Sequence, residues 1–97
     1  MISIKQINYA IAVAETLHFK KAAEKCFVSP STLSNAITEM ESQLGLKIFE
    51  RDNKKVIVTN LGQSIIENAK NIKNEIENIS KLSELNSEPF SNSISLG

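Results

Sequence analysis

The 97 residues carry 11 basic and 11 acidic side chains, so the chain fits one small domain with an extension and has no bulk positive charge to attract nucleic acid. A single cysteine, Cys26, excludes an intramolecular disulfide. One histidine and no glycine-rich phosphate loop leave too few groups for an enzyme's site or a metal centre, so neither is expected and no cofactor is implied. No run approaches the roughly 20 apolar residues that span a bilayer, and the N-terminus lacks the charged and apolar regions of a secretory signal, so a cytoplasmic protein with no membrane partner is expected. Charge is uneven along the chain: residues 1–60 carry eight Lys/Arg against six Asp/Glu, and residues 61–97 three against five. Any binding to DNA must therefore come from local placement of basic residues.

Ser3 is placed to cap a first helix from Ile4 to about Leu17. Its apolar stripe is Ile4, Ile7, Ile11 and Ala14, widened by Tyr9, Ala10 and Val13, so the helix should be largely buried. After a short turn at His18-Phe19, a second helix ends near Cys26. The adjacent Ala22 and Ala23 let another helix approach closely, and Phe19 supplies bulk beside them. His18 reads as a turn residue and Cys26 as a small buried hydrophobe.

Phe27-Val28 leads to a third helix with both ends marked. Ser29 is a good N-cap, Pro30 suits the first helical position, and Gly45 is where a left-handed residue would close the helix. Leu33, Ile37, Met40 and Leu44 share one stripe, and Ser31, Asn35, Thr38 and Ser42 lie opposite it. That outer face is small and polar, as a helix lying in a DNA major groove requires. The alternative is an ordinary surface helix. Two helices joined by a tight turn, the second exposing a polar face, make a helix-turn-helix.

The period then changes. Leu46 to Arg51 alternates as a short strand, Asp52 to Lys55 is a polar turn, and Lys55 to Val58 is a β-branched returning strand. The hairpin is a wing with Arg51, Lys54 and Lys55 clustered at its tip. Beside a helix-turn-helix, a basic tip can hold phosphates; alone it would read as a solvated turn.

Thr59 caps a long helix that runs to about Leu85. Ile65, Ala69, Ile72, Ile76 and Ile79 are spaced 4-3-4-3, a seam of period 3.5. Leu61 extends it backward, Ile66 broadens it, and Leu82 and Leu85 continue it with a phase slip. At about 1.5 Å per residue the helix is near 40 Å long, more than a small head can cover. A partner helix from a second copy is the direct inference, and folding back over its own head is the alternative. Ser87 to Ser93 reads as a hinge, and Ile94 to Gly97 alternates like the start of a strand, from which a further domain is expected.

The run Phe19…Ala22-Ala23…Val28-Ser29…Thr32-Leu33-Ser34…Ile37…Glu41…Leu44-Gly45…Phe49-Glu50-Arg51…Thr59…Gly62 resembles the DNA-binding head of LysR-type transcriptional regulators of bacteria. Within that family His18-Phe19, Cys26 before Val28-Ser29, and Lys55-Val56 look similar to the peroxide-sensing, OxyR-like branch. The sensing cysteines of that branch lie in the effector domain, so Cys26 is not read as a sensor.

The resemblance implies a mainly α fold, a winged helix-turn-helix with a two-stranded β-wing followed by a long linker helix. It divides the chain into a head (1–59), a dimerising linker helix (60–86), and a hinge with the start of an effector-binding domain (87–97). It implies double-stranded DNA as partner, read by two heads at a partly palindromic site with a T-N11-A core. It also implies tetramers at full length and an effector site outside this chain.

By position, the resemblance assigns base reading to Pro30, Ser31, Ser34, Asn35 and Thr38. It assigns phosphate contacts to Ser29, Thr32, Arg51, Lys54 and Lys55, with Lys20 and Lys21 also able to meet the backbone. The dimer seam is Ile65, Ala69, Ile72, Ile76 and Ile79. One departure stands out: the family usually has a glutamine after the cap serine, and here the pair is Pro30-Ser31. Proline has no donor, so Ser31 would share its role. The readings weighed against this one are a winged-helix scaffold for protein partners and the similar head of a molybdate-responsive regulator.

Overall fold

The structure, a computed structural model, describes residues 1–52 and 55–86. The elements follow in the order α1 (Ile4–Thr16), α2 (Phe19–Lys25), α3 (Pro30–Leu44), β1 (Phe49–Asp52), β2 (Lys55–Val58) and α4 (Asn60–Asn86). This is the expected mainly α winged helix-turn-helix with a long final helix. Lys54 of the wing and the hinge assigned to residues 87–97 lie outside the described residues.

The helices start and stop where local chemistry dictates. Ser3 Oγ accepts from the Gln6 amide at 3.2 Å, and Gln6 Oε1 accepts from the Ser3 amide at 2.8 Å, a reciprocal capping box. Leu17 closes α1 in the left-handed region at φ 52°. Ile7, Ala10, Ile11 and Val13 are buried, as expected. Ile4 is not: it stays 62% exposed, because the first residue of the helix lies past the edge of the core, beside Ile76 of α4. Ala22 and Ala23 are fully buried, and their small size lets α2 sit close to its neighbours.

Between α2 and α3 the chain turns at Phe27, whose φ of 60° is left-handed. The Phe27 amide donates to the Glu24 carbonyl and the Val28 amide to the Ala23 carbonyl, which closes the turn. α3 then begins at Ser29, with Pro30 in its first turn, and ends at Gly45, φ 72°, whose amide donates to the Glu41 carbonyl. Leu33, Ile37 and Met40 are buried, while Leu44 at the end of the stripe is exposed.

The wing differs from the expected strand at both ends: β1 includes Asp52, paired with Lys55, which was expected in the turn, and its start is displaced. β1 begins at Phe49, not at Leu46. The Leu46 amide is taken by the Glu41 carbonyl, and the Ile48 and Phe49 amides by the Glu41 carboxylate, so the segment is tied to α3 before it can pair with β2. β1 and β2 are antiparallel with Phe49 opposite Val58 and Arg51 opposite Val56.

Thr59 links the wing to α4. Its Oγ1 accepts from the Gly62 amide at 2.9 Å and donates to the Lys47 carbonyl at 2.7 Å. Gly62 packs on the backbone of Ile48, where a Cβ would overlap the Ile48 carbonyl oxygen.

α4 first lies on α1 and then leaves the head. Ile66 and Ala69 are buried in the common core, and Ile65 is half-buried against it. Folding back therefore does occur, over the first turns. It also alters the expected seam: Ala69 is 2% exposed, covered by its own head, and has no surface to offer a partner helix. Ile76 is half-buried, whereas Ile72 and Ile79 are 41% and 66% exposed, and Leu61, Leu82 and Leu85 are also open. The projecting helix makes the molecule 57 Å long and only 24 by 20 Å across.

Candidate nucleic-acid interface

α3 presents Ser31, Thr32, Asn35 and Thr38 to solvent, with Ser34 half-buried among them. These side chains are short, so the helix backbone can come close to whatever it meets. No Lys or Arg occurs between Pro30 and Leu44, and Glu39 is the one exposed acidic side chain of the helix, so the face offers hydrogen-bonding groups and no cation.

At its N-terminus the hydroxyls are partly committed. Ser29 Oγ accepts from the Thr32 amide at 3.2 Å and donates to Thr32 Oγ1 at 2.8 Å, with Ser31 Oγ 3.3 Å away. The hydroxyl hydrogen of Thr32 is left over to donate outward. Pro30 is exposed and offers only apolar contact at the front of the helix.

The basic residues gather between α2 and the wing, and Arg51 reaches from there to α3. Lys20 at the start of α2, Arg51 in β1 and Lys55 in β2 line one cleft with His18 and Phe19. Lys21 is exposed on the same short helix. The structure thus brings Lys20, Arg51 and Lys55 together from three elements, a convergence that their separation in sequence conceals. Lys20 and Lys21 follow an unusual cap: His18 Nδ1 accepts from the Lys21 amide at 3.1 Å. His18 is therefore more than the turn residue expected.

Arg51 is not a free wing-tip cation. Its guanidinium carbon sits 4.0 Å from the centroid of the Phe19 ring, and Nη2 donates to Ser34 Oγ at 3.1 Å. Phe19 in turn packs edge-on against Phe49, with centroids 6.2 Å apart and planes at 79°. Glu41 ties the same strand from below: its Oε2 accepts from Ile48 N at 2.9 Å and Phe49 N at 3.1 Å. Two residues that carry no expected contact, Phe19 and Glu41, thus fix where Arg51 stands.

Cys26 lies away from this face, half-buried near Lys25 and Lys73, and burial pushes its thiol above the usual range. Among the described residues, no group of His, Cys, Asp or Glu is arranged to hold a metal ion, and no helix is long and apolar enough to cross a membrane.

A tight pair of helices, a polar recognition face of short side chains and a wing that carries basic residues define a winged helix-turn-helix DNA-binding domain. Residues 4–63 match the bacterial regulatory helix-turn-helix protein, lysR family, and the chain belongs to that family. It is 38% identical over 95 residues to the HTH-type transcriptional regulator EstR of Acinetobacter baylyi, a span of 98% of this chain and 32% of that protein. It is 31% identical over 96 residues to the transcriptional dual regulator OxyR of Escherichia coli, covering 99% of this chain and 32% of that one.

The chain spans about a third of the length of these curated relatives. Among solved structures, full-length OxyR C199D from Pseudomonas aeruginosa superposes with a TM-score of 0.86 at 31% identity, over 91% of this chain and 30% of that one. The DNA-binding domain of CbnR in complex with DNA superposes with a TM-score of 0.79 at 26% identity, over 86% of this chain and 95% of that one.

Proposed function

We propose that this domain reads a specific double-stranded DNA sequence as a dimer, for a bacterial transcriptional regulator that acts in the cytoplasm and has no catalytic activity of its own. The observation that carries the reading is the short-chained polar outer face of α3, free of Lys and Arg, to which Arg51 is joined through Ser34 from a cleft it shares with Lys20 and Lys55. A face of that kind discriminates bases, and a rim of that kind holds phosphates.

Ser31, Ser34, Asn35 and Thr38 contact base edges, with Pro30 packing at the front. Asn35 is the chief reader, since an amide can pair bidentately with adenine. Ser29, Thr32, Lys20, Lys21, Lys54, Arg51 and Lys55 hold the backbone.

The head is residues 1–59 and the linker helix 60–86, with 87–97 leading to an effector-binding domain that carries the signal site and supports tetramer assembly. Two linker helices pair through Ile65, Ile72, Ile76 and Ile79; the exposure of Ile72 and Ile79 supports this, since each buried isoleucine contributes about 1.5–3 kcal/mol. The similarity to OxyR supports a peroxide-responsive regulator as the parent protein.

The test is binding of the chain to a labelled palindromic T-N11-A duplex and to a scrambled duplex across a salt series. Asn35→Ala should lose about 1–3 kcal/mol on the preferred duplex and little on the scrambled one. Equal loss on both would remove Asn35 as a reader, and equal binding of the wild-type chain to both duplexes would remove sequence specificity.

A further inference from the structure

We infer that Phe19 and Ser34 form a clamp that holds the Arg51 guanidinium ready for the DNA backbone before DNA arrives, so that both act on DNA affinity through Arg51. The inference deepens the DNA-binding reading and rests on it.

Three contacts carry it. The guanidinium lies 4.0 Å over the Phe19 ring, within cation–π range. Its Nη2 donates to Ser34 Oγ at 3.1 Å, joining the wing to the recognition helix. Phe19 is itself fixed by the edge-on contact with Phe49, two residues before Arg51 on the same strand. The guanidinium is thus held on one face by the ring and at one nitrogen by the hydroxyl. Arginine has five N–H donors, and this arrangement uses one of them, so the others stay available for a phosphate.

A long, rotamer-rich side chain left free on a wing would have to be ordered at the moment of binding, at a cost that weakens association. Here the order exists beforehand. The same hydrogen bond changes the part played by Ser34: with its oxygen accepting from Arg51, it is a positioning residue as well as a groove-facing one.

Positioning and simple structural support give different results. Phe19→Leu keeps apolar bulk and removes the ring face, and Ser34→Ala removes the acceptor. In the wild-type background each should weaken duplex binding about threefold to tenfold, the range expected when one such side chain loses its prior order. The slope of log affinity against log salt should not change, because the charge still reaches its phosphate. In an Arg51→Ala background, where the slope is already reduced by about 0.9 for the lost contact, Phe19→Leu should have less than a twofold effect, and Ser34→Ala should keep only the loss of its own base contact. Phe19→Tyr should restore wild-type binding.

In the free protein, nuclear magnetic relaxation of the Arg51 Nε–H should report an ordered guanidinium that becomes mobile in Phe19→Leu. Equal losses in the two backgrounds, or an Arg51 side chain that is mobile in the wild-type protein, would overturn the clamp while leaving DNA binding intact. A wild-type chain that binds neither the palindromic nor the scrambled duplex at low salt would overturn the DNA reading, and the clamp's purpose with it.

Discussion

Glu41 offers a quantitative test of how the wing is attached. Its side chain is 11% exposed, and Oε2 accepts from the amides of Ile48 and Phe49, two residues that are themselves buried. Glu41→Ala would leave both amides without a partner in a place that water cannot easily enter. At about 1–3 kcal/mol for each stranded donor, the loss is about 2–6 kcal/mol, a large part of the ~5–15 kcal/mol that stabilises a typical domain.

Glu41→Gln keeps a carbonyl oxygen in the same place and gives up only the charge assistance. Its loss should be smaller, about 1–2 kcal/mol. The 3.9 Å pairing with the exposed Lys47 should contribute at most about 0.5 kcal/mol, so Lys47→Ala serves as a control. The assay is urea unfolding followed by circular dichroism at one fixed protein concentration, since any dimer would couple stability to concentration. An alanine variant within about 0.5 kcal/mol of wild type would refute the reasoning. So would a glutamine variant as unstable as the alanine one, because then the carboxylate's two acceptor bonds would not be the cause.

Four further outcomes follow from the packing. Gly62→Ala would drive a methyl group into the Ile48 carbonyl and should cost about 1–3 kcal/mol, read from the same urea midpoint. Phe27 holds φ 60° and is 93% exposed, so Phe27→Gly should relieve backbone strain and raise stability by about 0.5–1 kcal/mol; a loss would mean that the ring makes a contact that matters. Burial raises the Cys26 thiol, so alkylation at pH 8 should be slower than that of a free cysteine and should reach that rate in denaturant. Ile72→Glu with Ile79→Glu changes two exposed positions; the head should stay folded and sediment as a monomer, and a surviving dimer would place the interface elsewhere.

The features legible in the sequence are those with a local cause. Ser29, Pro30 and Gly45 mark α3 because caps act over three or four residues, and Leu33, Ile37 and Met40 mark its inner face because burial follows the helical period. The presence of the hairpin was legible for the same reason, though its register, with Asp52 paired to Lys55, was not. The Glu41 connection was not, since a carboxylate seven and eight residues from its partner amides leaves no periodic trace, and it is this connection that delays β1 to Phe49. The stack of Arg51 on Phe19 spans 32 positions and joins residues that each have an ordinary explanation alone. The seam of α4 was visible as a pattern, yet which part faces its own head depends on helix phase: Ile66 and Ala69 turn inward, and Ile72 and Ile79 outward. His18 carries no sequence signal as a cap, because short oxygen-bearing side chains and not imidazoles are the usual N-caps.

The absence of any Lys or Arg from α3 has a consequence for how such a protein can change over time. In the proposed reading, grip depends on cations carried by α2 and the wing, and discrimination depends on neutral side chains carried by α3. Ionic strength acts strongly on the first and weakly on the second. A substitution at Asn35 or Thr38 could therefore retarget the domain to a different site while its hold on the backbone stays the same, and a change at Lys20 or Lys55 could tighten or loosen that hold without altering which site is preferred.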